Sequence, residues 1–186
     1  GEGYYFVTQA LRQRIELIRH LLEFGRQIII ITGSQGSGKT SLLGRVGDPR
    51  EKTWRVLRYI AGPTLNRSAL LDKVAGDLGV DTPVIAAGRI QEDIRARVQA
   101  ANQHGETIVL AIDDAHRLPA NSPACIAELA YCVDESTEMK IVLSADPAQS
   151  ALADQLQSES SQHPLVHIVE MPRFNGEQTV AMLIQA

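Results

Sequence analysis

With 186 residues, 44% hydrophobic and 22% charged, the chain is long enough for one domain with a substantial core, and its composition is that of an ordinary globular protein. A formal net charge of −4 excludes a global basic signal for nucleic acid or an acidic membrane surface, leaving only local basic patches open. The longest apolar runs fall far short of a membrane span.

The predicted elements alternate between helix and strand. Leu11, Ile15, Ile18, Leu21 and Leu22 recur at helical spacing over residues 8–24, with Thr8 as the expected N-cap. The preceding Tyr4-Tyr5-Phe6 is a dense cluster in a chain with 4% aromatics; it either covers a nucleobase or pins the helix end to the core. Residues 27–32, four isoleucines among them, read as a buried strand. A glycine-rich turn and a helix to Val46 follow, broken by Gly47-Asp48-Pro49. Residues 53–60 predict a second strand. Asn66 is placed to cap a helix through Leu78, stopped by Gly79. Residues 84–103 form a helix whose charged face (Arg89, Glu92, Asp93, Arg95, Arg97) reads as solvated surface. Strands are expected at 107–112, 139–143 and 165–170, helices at 123–133, 148–156 and 176–186, and a loop at 157–162. Cys125 and Cys132 fall on one face of one helix, about 10 Å apart along its axis and too far for a disulfide, so they read as buried thiols. The chain begins Gly1-Glu2-Gly3 and ends inside a helical pattern at Ala186. Both ends read as cut points in a longer protein.

Alternation of this kind implies a parallel sheet with helices on both faces, whose ligands bind outside the carboxyl ends of the strands. The glycine-rich turn falls there. Gly33, Gly38, Lys39 and Thr40 occupy the fixed positions of G-x-x-x-x-G-K-[ST], between a strand and a helix as the motif requires. Gly33, Gly36 and Gly38 let the backbone curl so that the N–H groups of the loop (Gly33, Ser34, Gln35, Gly36, Ser37, Gly38, with Ser41 on the helix) surround a phosphate. The helix aims its positive end at the same anion. Lys39 is placed to reach the β- and γ-phosphates, and the Thr40 hydroxyl to sit on Mg²⁺. The bland alternative is a Gly/Ser turn joining a strand to a helix.

A second apolar run, Thr107 to Ile112, ends in Asp113-Asp114, about seventy residues after the loop. In that place Asp113 is a candidate Mg²⁺ ligand through water, and Asp114 a candidate to orient or deprotonate the attacking water. Ser144, at the end of the following strand, is read either as a hydrogen-bonding reporter between the acids and the γ-phosphate or as a simple helix cap. His116 and Arg117 read as helix-start residues, and His163 and His167 show no metal-ligand spacing. No DxxG or NKxD follows the acidic strand, which favours ATP over GTP.

These motifs, with Ile108 to His116 reading IVLAIDDAH, resemble the AAA+ ATPase superfamily. Tyr4-Tyr5-Phe6, Asp113 to Pro119 (DDAHRLP) and Val166 to Pro172 resemble in particular the bacterial branch of ExeA-type secretion ATPases and the AAA domain of DamX-type cell-division proteins. The resemblance covers nearly the whole chain. It implies a three-layer αβα P-loop NTPase with a parallel five-stranded sheet in the order 5-1-4-3-2. It divides residues 1–186 into an N-terminal linker and helix (1–26), an αβα core (27–172) and the start of a lid helix (173–186). It also implies a homo-oligomer with ATP between protomers, completed by an arginine, and a cytoplasmic location. Partners would come from envelope, division or secretion machinery. In the DamX-type case a membrane helix and a peptidoglycan-binding domain lie outside this stretch. Three departures stand out. Asp114 occupies the place of the ExeA-type Glu, one methylene shorter; Asp-Asp is the form associated with the DamX-type domains. No arginine lies between Asp146 and the last strand, leaving Arg173 as the nearest candidate. The lid is mostly missing. The expected function is therefore an ATP-dependent switch or slow ATPase. The alternatives are a hydrolysis-deficient interaction module, a DNA-linked transposition-helper ATPase, which the net charge disfavours, and, more distantly, a small-molecule kinase.

Overall fold

The computed structural model describes residues 2–25, 28–46, 53–80, 89–131, 139–147, 151–159 and 166–172. In chain order these form α1 (Glu2–Phe24), β1 (Ile28–Thr32), α2 (Lys39–Val46), β2 (Trp54–Ile60), α3 (Arg67–Asp77), α4 (Ile90–Gln103), β3 (Thr107–Asp113), a 3₁₀ turn (Ala115–Arg117), α5 (Ser122–Tyr131), β4 (Met139–Ala145), α6 (Leu152–Glu159) and β5 (Val166–Glu170). The strands make one parallel sheet in the order β2-β3-β4-β1-β5, which is the expected order.

Strand alternation builds the two faces of the sheet. Ile28 and Ile30 of β1, with Ile108, Leu110 and Ile112 of β3, join a core with Leu70, Val74, Ile94, Ile126 and Leu156 from α3 to α6. Ile29 and Ile31, with Val109 and Ala111, face the other way onto Leu11, Ile18 and Leu22 of α1 and Leu42 and Val46 of α2. That is why the isoleucine run shows no alternation of its own: both its faces are buried.

Several boundaries differ from those read in the sequence. α1 begins at Glu2, so Thr8 lies inside the helix rather than capping it; no glycine or proline after Gly3 interrupts the helical path. β3 carries on through Asp113 and β4 through Ala145, because the ladder pairs Ile60 with Asp113 and Ile31 with Ser144. An end judged by hydrophobicity stops one or two residues short. α6 runs Leu152–Glu159, taking in residues expected to form a loop. Asn66 does cap α3, its Oδ1 accepting the Ala69 N–H at 2.9 Å, and Gly79 follows at φ +77°. Residues 47–49, Cys132, Arg173 and the helix expected at 176–186 lie outside the described residues, whereas Cys125 is a buried thiol outside any disulfide.

Backbone hydrogen bonds tie the carboxyl edge of the sheet together beyond the strands themselves. Gly33 N–H donates to Ala145 O at 3.3 Å, Met171 N–H to Thr32 O at 2.7 Å and Ala61 N–H to Asp113 O at 2.8 Å. The loops leaving β1, β2 and β5 are thus anchored to a common rim.

Candidate nucleotide site

The phosphate loop leaves β1 at Gly33 and enters α2 at Lys39. A side chain at Gly33 would place its Cβ 2.5 Å from Ser37 Oγ and 3.1 Å from Met171, so any larger residue there would have to displace the Ser37 hydroxyl and press on Met171. Gly36 (φ +80°) and Gly38 (φ +93°) take the left-handed backbone that curls the loop. Ser37 N–H donates to Ser34 O at 3.1 Å, and Lys39 Nζ reaches across to the same carbonyl at 2.8 Å. Lys39 is buried. The far end of α2 is held by cations: Arg58 donates to the carbonyls of Leu43 (3.4 Å) and Gly44 (3.2 Å), and Arg19 to that of Arg45 (3.4 Å). Positive charge there complements the helix dipole and leaves its other end, with unsatisfied N–H groups, directed at the loop.

The acids lie on the neighbouring rim. Asp113 is buried. Its Oδ1 accepts from the Asp114 N–H at 3.1 Å and from the Ser144 hydroxyl in a short bond. Ser144 Oγ in turn accepts the Asp114 N–H at 2.9 Å. Ser144 thus bridges the Asp113 carboxylate and the Asp114 backbone N–H, fully buried, with its proton committed to Asp113. Asp114 has φ 53° and ψ 42°, the only left-handed non-glycine residue among those described. This conformation ends β3 abruptly. The 3₁₀ turn beyond it is closed by bonds from Arg117 N–H to Asp114 O (2.9 Å) and from Leu118 N–H to Ala115 O (3.2 Å). His116 Nδ1 accepts the N–H of Asp146 at 3.1 Å and fastens this turn to the end of β4. The proton of the neutral ring is then on Nε2.

Loop and acids meet in a cleft of about 460 Å³ lined by Gln35, Gly36, Thr40, Asp114, His116, Arg117 and Asp146. Of the residues expected at the site, Gln35, Gly36, Thr40 and Asp114 reach this cleft. Gly33, Ser34, Ser37, Gly38 and Lys39 form the loop behind it, Asp113 and Ser144 lie beneath Asp114, and Ser41 is exposed on α2 without lining it. Three lining residues are not among those expected. In the sequence His116 and Arg117 look like a helix start, and Asp146 like an ordinary polar position just past a strand. The sequence carries little signal for them: Asp146 lies just past the end of β4, beyond the reach of the strand period, and the 3₁₀ turn that brings positions 116 and 117 beside 114 is not marked by any spacing.

The arrangement suits a nucleotide phosphate and a hydrated divalent ion. Ser37 Oγ, inside the loop, is a buried hydroxyl with no hydrogen-bond partner among the described residues. No group of three or more His, Cys, Asp or Glu capable of holding a metal occurs among the described residues. The oxygen donors at hand are the buried Asp113, the Thr40 hydroxyl and Asp114. Mg²⁺ is suited by such a set when phosphate oxygens and water fill the remaining positions.

A family model described as an AAA domain matches residues 19–153. The chain belongs to this AAA domain family. The family implies nucleotide binding, ordinarily with Mg²⁺. No curated protein matches the chain. Solved structures similar to this AAA domain include several of the ORC/Cdc6 type. The Aeropyrum pernix ORC2 protein, in ADPNP–ADP complexes, is 13% identical with a TM-score of 0.60, covering 94% of this chain and 50% of that one. Cdc6p from Pyrobaculum aerophilum is 17% identical with a TM-score of 0.64, over 95% and 48%. Drosophila ORC bound to DNA is 17% identical with a TM-score of 0.58, over 84% and 42%. At these identities the likeness is one of fold, and the AAA domain spans about half the length of those chains or less.

Proposed function

We propose that this AAA domain binds Mg-ATP and works as a switch or slow ATPase within a homo-oligomer. The observation that carries the reading is the meeting, in one cleft, of the curled loop (Gln35, Gly36 and Thr40) and of Asp114 above the buried Asp113. The loop backbone and Lys39 hold the phosphates, with Lys39 moving from the Ser34 carbonyl to a phosphate oxygen. Thr40 and Asp113 hold the ion, which neutralises charge on the transferred phosphoryl group. Asp114 orients the attacking water and accepts its proton. Ser144 keeps the Asp113 carboxylate and the Asp114 turn in place. Residues 1–186 act as one nucleotide-binding unit. DDAHRLP at Asp113 to Pro119 supports the finer assignment to the ExeA/DamX-type branch, and with it a cytoplasmic domain serving bacterial envelope, division or secretion assembly.

ATP turnover in the full-length protein tests this. Wild type turns over slowly and only with Mg²⁺. Asp114→Asn loses at least about 100-fold, the usual contribution of a general base, and still binds nucleotide. Nucleotide binding without turnover in either protein would favour a nucleotide-binding interaction module, and equal turnover in the two would remove Asp114 from the base role. A DNA-linked ATPase is the second reading, prompted by the fold shared with an ORC assembly bound to DNA. It requires a DNA affinity that falls steeply with salt.

A further inference from the structure

One charged group in the cleft has no part in the proposed hydrolysis. Arg117 is exposed, lines the cleft beside Gln35, Gly36 and Thr40, and makes no side-chain hydrogen bond or ion pair among the described residues. Its backbone, by contrast, is fixed. Its N–H is held by Asp114 O at 2.9 Å, and the neighbouring His116 ring is fastened to β4 through the Asp146 N–H at 3.1 Å. A side chain without a bond among the described residues, on an anchored base at the cleft that the phosphate loop lines, is well placed to take hold of a ligand.

The charges around it call for a cation. Asp114 and Asp146 line the cleft with Asp113 beneath them, and the loop's own cation, Lys39, is buried behind it on the Ser34 carbonyl. Between Lys140 and Pro172 the sequence has neither arginine nor lysine, so that stretch of a neighbouring protomer has no permanently charged cation to offer. We propose that Arg117 contacts the terminal phosphate of the nucleotide bound in its own protomer. The planar fork of a guanidinium matches phosphate oxygens and stays charged at any working pH. In this position Arg117 distinguishes ATP from ADP and stabilises the charge on the transferred phosphoryl group, the part an arginine plays in cis in some other phosphoryl-transfer enzymes. The inference rests on the proposed nucleotide site.

The test is equilibrium binding of fluorescent ATP and ADP analogues to wild type, Arg117→Ala, Arg117→Lys and Lys39→Ala, over a hundredfold range of protein concentration. Arg117→Ala is expected to lose about 10- to 100-fold in ATP affinity, the usual scale for a hydrogen bond to a charged group. Its ADP affinity should be unchanged, with Arg117→Lys intermediate, and the loss should be the same at every protein concentration. An ATP-to-ADP preference in Arg117→Ala equal to that of wild type overturns the assignment. So does a loss that appears only as protein concentration rises, which would give the arginine to a neighbour's site. Lys39→Ala should weaken both nucleotides. If wild type binds neither, the nucleotide site itself fails and the role of Arg117 fails with it.

Discussion

Ser144 shows how a buried hydroxyl can serve a site without lining it. A carboxylate as buried as Asp113 is tolerated only with hydrogen-bond partners, and Ser144 supplies one while also accepting the Asp114 N–H. Replacing Ser144 with Ala removes a hydrogen bond to the buried Asp113 carboxylate, which costs about 1–3 kcal/mol, while the Asp114 N–H keeps Asp113 Oδ1 as its acceptor. For a domain of this size the melting temperature should fall by roughly 2–12 °C. Mg²⁺-dependent nucleotide affinity should fall too, because the Asp113 carboxylate is no longer aimed. Calorimetry and nucleotide titration of Ser144→Ala check this, and an unchanged melting temperature would contradict it. Asp114 adds a local reason for Asp in the place of Glu. Its left-handed backbone is one that Asp and Asn adopt more readily than longer side chains. The fixed residues of the phosphate loop are legible in the sequence because their spacing is itself the chemistry. The clustering of His116, Arg117 and Asp146 is not, because it depends on a 3₁₀ turn and a three-dimensional fastening that no linear spacing encodes.

Among the elements, β1, α3 and their caps are the easiest to read, since a doubly buried strand and an Asn-capped, Gly-terminated helix carry their signals locally. The ends of β3 and β4 are not, because ladder pairing with neighbouring strands holds polar residues in extended form. The junction between β2 and α3 carries a testable consequence of its own. The Tyr59 hydroxyl donates to Asp77 Oδ2 at 2.6 Å, and Lys73 Nζ lies 5.7 Å from the ring centroid. Burial, then the hydrogen bond to Asp77 and its charge, hold the phenol well above its ordinary pKa. A raised pKa means that the folded state keeps the proton more tightly than the unfolded state. The resulting stability is complete below about pH 10, the ordinary tyrosine value, and is lost as pH rises above it. Urea unfolding near pH 7 and again above about pH 10 should show a smaller alkaline loss in Tyr59→Phe than in wild type. Equal losses would remove Tyr59 from the account.

For the molecule as a whole, the strand order comes from helix–strand alternation together with the AAA+ resemblance, and the sheet carries it without change. Among the described residues no helix is long and apolar enough to cross a membrane. The two cores, one on each face of the sheet, explain why a single glycine-rich loop can govern the site. It leaves the doubly buried β1 and enters α2, whose far end is fixed by Arg19 and Arg58. The central claim is that this loop holds Mg-ATP, and thermal unfolding with and without the ligand, beside Lys39→Ala, tests it most directly. Ligand at about 100 times its dissociation constant adds about 2.7 kcal/mol. For a domain of this size that is a rise of roughly 5–11 °C. The account predicts a rise that requires Mg²⁺, is larger for ATP than for GTP and is absent in Lys39→Ala. The same melting temperature with and without every nucleotide, or an equal rise in Lys39→Ala, would contradict it.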